Sequence, residues 1–185
     1  FNPEFRHLWN LAKNNKIASR VGLGALFSYG NSTIAPYSEQ FYVGGANSIR
    51  AFTVRSIGPG GYHPEESRYS YLDQTGTFRF EANVEYRFRI FKSIWGATFL
   101  DAGNVWLMRK DEARPNSQLR LKTFPKQIAL GTGLGVRYDM DILVFRLDFG
   151  IPLHLPYDTE RSGYYNVTGA FFKNLGIHFA IGYPF

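Results

Sequence analysis

Residues 175–185 alternate without a miss between large apolar and small or polar side chains. Leu175, Ile177, Phe179, Ile181, Tyr183 and Phe185 share one parity; Gly176, His178, Ala180, Gly182 and Pro184 share the other. Successive strand residues point to opposite faces, so this strand has one bulky greasy face and one lean face. A soluble sheet can carry the pattern. Aromatics gathered at one end of the greasy face point instead to an outer-membrane β-barrel, whose outer face meets lipid and whose aromatics sit at the interface.

Five further segments repeat the two-residue period. In residues 19–29, Val21, Leu23, Ala25, Phe27 and Tyr29 oppose Arg20, Gly22, Gly24 and Ser28. In residues 78–90, Phe78, Phe80, Val84, Tyr86, Phe88 and Ile90 oppose Arg79, Glu81, Asn83, Glu85, Arg87 and Arg89. A helix would spread those charges around its circumference, so the segment predicts a strand. Residues 94–106 show a weaker period. In residues 127–138, Ile128, Leu130, Leu134, Val136 and Tyr138 oppose Ala129, Gly131, Gly133, Gly135 and Arg137. In residues 143–153, Leu143, Phe145, Leu147, Phe149 and Ile151 oppose Arg146, Asp148 and Gly150. Residues 5–9 read as the tail of another strand. The expected class is therefore all-β, with about six strands of an antiparallel transmembrane barrel legible.

Composition agrees with strands that are wet on one face. Aromatics make up 17% of the chain and 19 residues are Gly, yet mean hydropathy is only −0.24. No apolar run is long enough for a transmembrane helix, which needs about 18 residues. With no cysteine, a disulfide framework and a thiolate metal site are excluded. The formal charge of +6 is spread along strands, which predicts a solvated surface and lumen and no nucleic-acid partner.

Connector lengths alternate. Short ones fall at residues 13–16, 91–93 and 139–141; long ones fall at 30–77, 107–126 and 154–173. Short turns on one side and long loops on the other mark an outer-membrane barrel, with the long loops extracellular. About six strands cannot close, since closure needs eight or more. An open greasy edge in a bilayer leaves backbone groups unpaired. Residues 1–185 are thus expected to be the C-terminal part of a single barrel domain whose other strands lie upstream, the alternative being a barrel closed by assembly with other chains. An exported protein also carries a leader, which this sequence does not open with.

The connector 30–77 is too long for filler. It holds Gly44-Gly45, which reach backbone conformations other residues avoid, then Ile49, Arg50, Ala51 and Phe52. Arg50, flanked by Ile49 and Phe52, is expected to sit against structure. The stretch GGANSIRAF resembles the Val/Ile-Arg-Gly-Phe/Tyr motif of the sixth extracellular loop in the BamA/TamA family of outer-membrane insertases. FLDAGNVW, with Phe99, Asp101 and Gly103, resembles that family's Phe-x-Asp-x-Gly strand motif. GTGLGVRYDMDILVFRLDFGIPL resembles its penultimate strand pair, and the terminal Phe185 resembles its assembly signal. Order and spacing agree across residues 19–185. Ala51 departs from the usual Gly after the Arg, and the context GGANSIRAF…IGPG is closer to the TamA-like branch.

The resemblance implies that the loop folds back into the lumen and that Arg50 meets acidic residues of the inner wall. Strand parity supplies Glu85 and Asp101 as lumen-facing partners. Both acids could instead balance wall arginines such as Arg79 and Arg87. The resemblance also implies a bacterial outer-membrane protein that inserts or folds client outer-membrane proteins, surrounded by outer-membrane lipid. Upstream POTRA domains would reach periplasmic or inner-membrane partners. The terminal strand, with Gly176, Phe179, Gly182, Tyr183 and Phe185, is the expected signal and gate. Its lean glycines and Pro184 weaken sheet pairing. Two rivals are a two-partner secretion transporter, which shares the loop motif, and a passive porin, which needs no anchored arginine.

Nothing points to an enzyme, a cofactor or a metal. Gly131-Thr132-Gly133-Leu134-Gly135 has glycines every second residue and no following helix, so it reads as a lean lumen face rather than a dinucleotide loop. His7, His63, His154 and His178 are scattered without ligand spacing. Asp111-Glu112 reads as solvated. Asn31-Ser32-Thr33 and Asn166-Val167-Thr168 match glycosylation acceptors, which mean little in a bacterial outer membrane.

Overall fold

The computed structural model describes residues 1–28, 35–64, 70–169 and 174–185. It is one antiparallel sheet of seven strands, each hydrogen-bonded to its sequence neighbours. They are β1 (Glu4–Ala12), β2 (Asn15–Ala25), β3 (Phe78–Phe91), β4 (Ile94–Trp106), β5 (Ala129–Asp139), β6 (Val144–His154) and β7 (Gly176–Ile181). The expected all-β class and antiparallel order hold. Tyr29, Gly30, the acceptor Asn31-Ser32-Thr33 and Lys173 lie outside the described residues.

Three boundaries differ from the sequence reading. Residues 5–9 are the middle of a full nine-residue strand, β1, paired with β2 from Glu4↔Gly22 to Ala12↔Asn15. Strand β2 starts earlier than expected and stops at Ala25, so Phe27 lies beyond it. The perfect alternation through Phe185 does not make strand to the end. β7 stops at Ile181, and Gly182 follows with a left-handed φ of 91°. That conformation suits a residue without Cβ and turns the chain off the ladder.

Strand parity sorts the side chains as the two-residue period predicts. Outward positions are apolar and exposed: Leu134 is 65% exposed, Phe179 66% and Ile181 61%. Inward positions on β3 to β6 are buried, among them Glu81, Glu85, Asp101, Arg137, Arg146 and Asp148. Phe78 and Phe80 are less open than their neighbours. The connector after β4 ends in a 3₁₀ turn, Phe124–Gln127, whose Phe124 stacks on Trp106 at 4.8 Å and meets Phe80 edge-on at 5.6 Å.

The connector between β2 and β3 supplies the packing on the inward side. Val43, Ile49, Ala51, Phe52 and Ile57 pack with Val105 of β4 and Ala129 of β5 into a small hydrophobic core. The wall there is lean because it must be. A side-chain carbon at Gly150 would overlap the backbone of Arg50, and one at Gly131 would overlap the methyl of Ala51. Gly131 of β5 and Gly150 of β6 are therefore the seat for a folded-in loop.

Candidate functional site

The loop turns tightly before it reaches the wall. Gly44 and Gly45 both have left-handed φ, 98° and 92°. The Gly44 N–H donates to Ser48 Oγ at 2.9 Å, and the Gly45 N–H donates to the Phe52 carbonyl at 2.8 Å. The Ser48 hydroxyl reaches Glu81 of β3. This closed turn presents Arg50 to the inner wall with no solvent exposure.

Arg50 and Asp101 form a two-pronged pair. Nε donates to Oδ2 at 2.8 Å and Nη2 to Oδ1 at 2.8 Å, while the Arg50 backbone N–H also reaches Oδ2 at 3.0 Å. Planar fork-to-fork geometry is the strong form of this contact and one that lysine cannot copy. Nη1 bonds Glu85 and lies 4.0 Å from Asp148. The guanidinium rests on the ring of Phe99 at 3.6 Å from its centroid, a favourable cation–π placement. Burial opposes the charge, but Asp101, Glu85 and Asp148 outweigh it, so Arg50 holds its proton more tightly than a solvated arginine.

The structure thus brings together Gly44, Gly45, Ile49, Arg50, Ala51, Phe52, Glu85, Phe99 and Asp101. Glu85 and Phe99 are directly opposed across β3 and β4, and Asp101 opposes Asn83 one step further along. Gly103 faces Glu81 in the same register, and a side chain there would strike Ile49 and the β3 backbone. Ala51, in place of the family's usual glycine, has no left-handed backbone, and its methyl faces Gly131.

The cluster extends past the pairing read from sequence. Glu85 also accepts from Arg87 Nε at 2.7 Å and Arg137 Nη2 at 3.0 Å, so it serves the loop arginine and the wall arginines together. Arg137 lies 2.6 Å from Asp148, and Arg146 lies 3.4 Å from it. Arg146 donates to the Ala46 carbonyl at 2.8 Å and to Asn47 at 2.6 Å. From the other side, Arg20 of β2 donates to the Asn47 carbonyl at 2.9 Å, to Asn83 at 3.0 Å and to Glu81 at 3.1 Å. Asn83 donates to the Ser48 carbonyl and to Asp101, both at 2.8 Å. Arg79 is 3.6 Å from Glu81 and takes no part in the Arg50 contact.

Arg137, Arg146 and Asp148 come together only through strand register. Arg137 stands directly across from Arg146 in the β5–β6 register, with Asp148 one step away opposite Gly135. Like charges placed opposite each other repel, so an inward arginine pair signals an acid between them. The role of Phe99 carries a weaker signal, an inward aromatic two residues from an inward acid.

The terminal strand divides. Phe179 faces outward and stacks near Phe145 at 6.2 Å, and Gly176 lies against the Arg50 and Ala51 carbonyls. Tyr183 and Phe185, placed by parity on the lipid face, turn inward after Gly182. The Tyr183 ring sits 4.4 Å from the Arg87 guanidinium, and the Phe185 ring lies 5.8 Å from Arg20 and 5.9 Å from Arg50 and Arg87. His154 ends β6 with its ring nitrogens at the carbonyls of Tyr164 and Lys126. Asn166 is buried and braces the loop after β6 through Leu155 and Tyr157. Among the described residues no cluster of His, Asp or Glu is arranged to hold a metal ion.

Residues 2–185 match the model of the Omp85 superfamily domain. The chain is 29% identical over 172 residues to the outer membrane protein assembly factor BamA of Nitratidesulfovibrio vulgaris, covering 91% of this chain and 20% of that protein. It resembles the crystal structure of BamA from Haemophilus ducreyi lacking POTRA domains 1–3, with a TM-score of 0.65 and 17% identity. That match covers 97% of this chain and 33% of the other, and at this identity it speaks to the fold. The chain spans a fifth to a third of the length of these relatives.

Proposed function

The chain belongs to the Omp85 superfamily, whose members are outer-membrane β-barrel proteins, and from that footing we propose that it supplies the C-terminal strands of one barrel that helps insert or fold other barrel proteins. The observation that carries the reading is the buried Arg50 fork on Asp101 and Glu85, which holds the long β2–β3 loop against the inner wall. A passive pore needs no loop arginine anchored to its wall in this way.

The work would be templating, with no bond made or broken. Strand β7 pairs with β6 over only six residues, from Phe145↔Ile181 to Gly150↔Gly176, and is the last strand of the sheet among the described residues. A client strand would pair there, as an extended peptide adds to an open sheet edge. Gly44-Gly45, Ala51 and the residues 56–60 favour the TamA-like branch. Upstream POTRA domains would bring periplasmic or inner-membrane partners. A two-partner secretion transporter is the other reading of the same anchored loop.

The test is a disulfide joining β7 to the first strand of the complete barrel. Loss of client insertion, restored by reductant, supports an insertase that opens at this seam. Full insertion with the seam locked overturns it, and export of one cognate protein in place of insertion assigns the transporter.

A further inference from the structure

Loop residues 113–138, running from the β4–β5 connector into β5, contain no Asp or Glu but carry Arg114, Arg120, Lys122, Lys126 and Arg137. Arg137 is buried in the inner cluster. Arg114 is taken by Asp111 at 2.8 Å, and it holds that carboxyl below the usual range. Lys110 pairs with Glu112 at 3.4 Å. The acids of this connector are therefore engaged near its start. Among the described residues, none lies within ion-pair distance of Arg120, Lys122 or Lys126, and all three are exposed.

The position of these cations is fixed by Phe124. Its ring packs on Phe80, which shares the outward face with its cross-strand neighbour Leu23. It also stacks on Trp106, itself tilted against Phe78 at 6.0 Å. The segment therefore folds over the rim onto the outward side of the wall, where the half-buried rings of Phe78, Phe80 and Phe124 surround the fully buried Trp106 in a patch like the interfacial girdle of membrane barrels. Three residues before Phe124, Leu121 stands 89% exposed between Arg120 and Lys122 in the chain. A bare leucine held between two cations at an aromatic girdle matches the layering of a bilayer, with acyl chains below and charged headgroups above.

We propose that residues 120–126 form a binding site for an anionic, phosphate-bearing lipid in the leaflet on the long-loop side, with Leu121 among the acyl chains and Arg120, Lys122 and Lys126 on the phosphate. The site rests on the outer-membrane placement of the barrel and is independent of whether the barrel inserts clients. A phosphate can take charge-assisted bonds from Arg120, while the two lysines act as point charges. The partner is a lipid rather than a soluble anion because Leu121, 89% exposed, stands three residues from a ring that packs on the outward face of the sheet.

A diazirine-bearing amino acid placed at Leu121 of the complete protein tests the site. The protein is reconstituted in phosphatidylcholine vesicles with a minority of phosphatidylglycerol, irradiated, and its lipid adducts weighed by mass spectrometry. Adducts should favour phosphatidylglycerol about fivefold or more over its share of the vesicle, the factor for roughly 1 kcal/mol from a single cation near an anionic surface. Replacing the three cations together (Arg120→Gln, Lys122→Gln, Lys126→Gln) should return the adducts to the bulk ratio. Adducts at the bulk ratio in the protein with its cations intact, or adducts to protein alone, overturn the proposal, and that measurement decides even if the triple variant folds badly. Client insertion measured in the same vesicles reads the proposed function separately.

Discussion

The two faces of this sheet are held to their surroundings by different rules. The inner face at β3–β6 is specified atom by atom: Arg50 meets Asp101 through two parallel bonds, and Glu85 serves Arg50, Arg87 and Arg137. The outer face at Leu134, Val136, Phe179 and Ile181 is specified only by being apolar. A polar network in a confined space tolerates few changes because each lost partner strands another buried group. A lipid-facing surface tolerates any residue the bilayer accepts.

The largest test breaks the inner side. Arg50→Ala should cost about 3–5 kcal/mol, because it leaves the Asp101 carboxylate buried without its cation and takes one of three arginines from Glu85. Arg50→Lys should recover only part of that, as an ammonium cannot form the fork. The denaturant midpoint of the barrel in micelles measures both, and equal stability of the three proteins would show the clamp to be ornamental.

Next comes a break on the outer side. Leu134→Arg should cost roughly 2–4 kcal/mol if it lies near the bilayer midplane, read as lost heat-resistant gel mobility in lipid. A neutral result would place β5 outside the hydrocarbon layer.

The comparison sharpens with steric changes. Gly150→Val should cost about 1–3 kcal/mol, since its side chain would enter the space of the Arg50 backbone. It should also raise protease access to the β2–β3 loop. Phe99→Leu keeps the bulk but removes the aromatic face under Arg50, and about 1 kcal/mol is expected. The smallest effect belongs outside: Val136→Leu should change the midpoint by less than about 0.5 kcal/mol. A larger shift there would mean that something more specific than lipid covers β5.

What the sequence could show followed from period. The inside and outside of β3, β5 and β6 are legible because charge or glycine falls on one parity and bulk on the other. β1 was read only as a fragment because Leu8 faces inward and His7 faces outward, opposite Ala18 and Ser19 respectively, which blurs its alternation. The end of β7 was overrun for the opposite reason. Its alternation stays perfect through Phe185, whereas the chain leaves the ladder at Gly182 through one backbone torsion that no pattern of side chains reports. For the site, parity placed Glu85 and Asp101 inside, and resemblance placed Arg50 there. The wider set of Arg20, Arg137, Arg146 and Asp148 depends on strand register, which single-strand periodicity does not contain.

Asn47 gives the sheet a mechanical property. Arg20 grips its carbonyl from β2, and Arg146 grips its side chain from β6. The loop is thus a tie rod stretched across an arch, fastened one strand in from either end. A tie fixes the span between its fastenings and leaves what lies beyond them free to swing. The tie therefore sets the curvature of the five strands β2 to β6 between its fastenings, whatever strands the sheet carries beyond them.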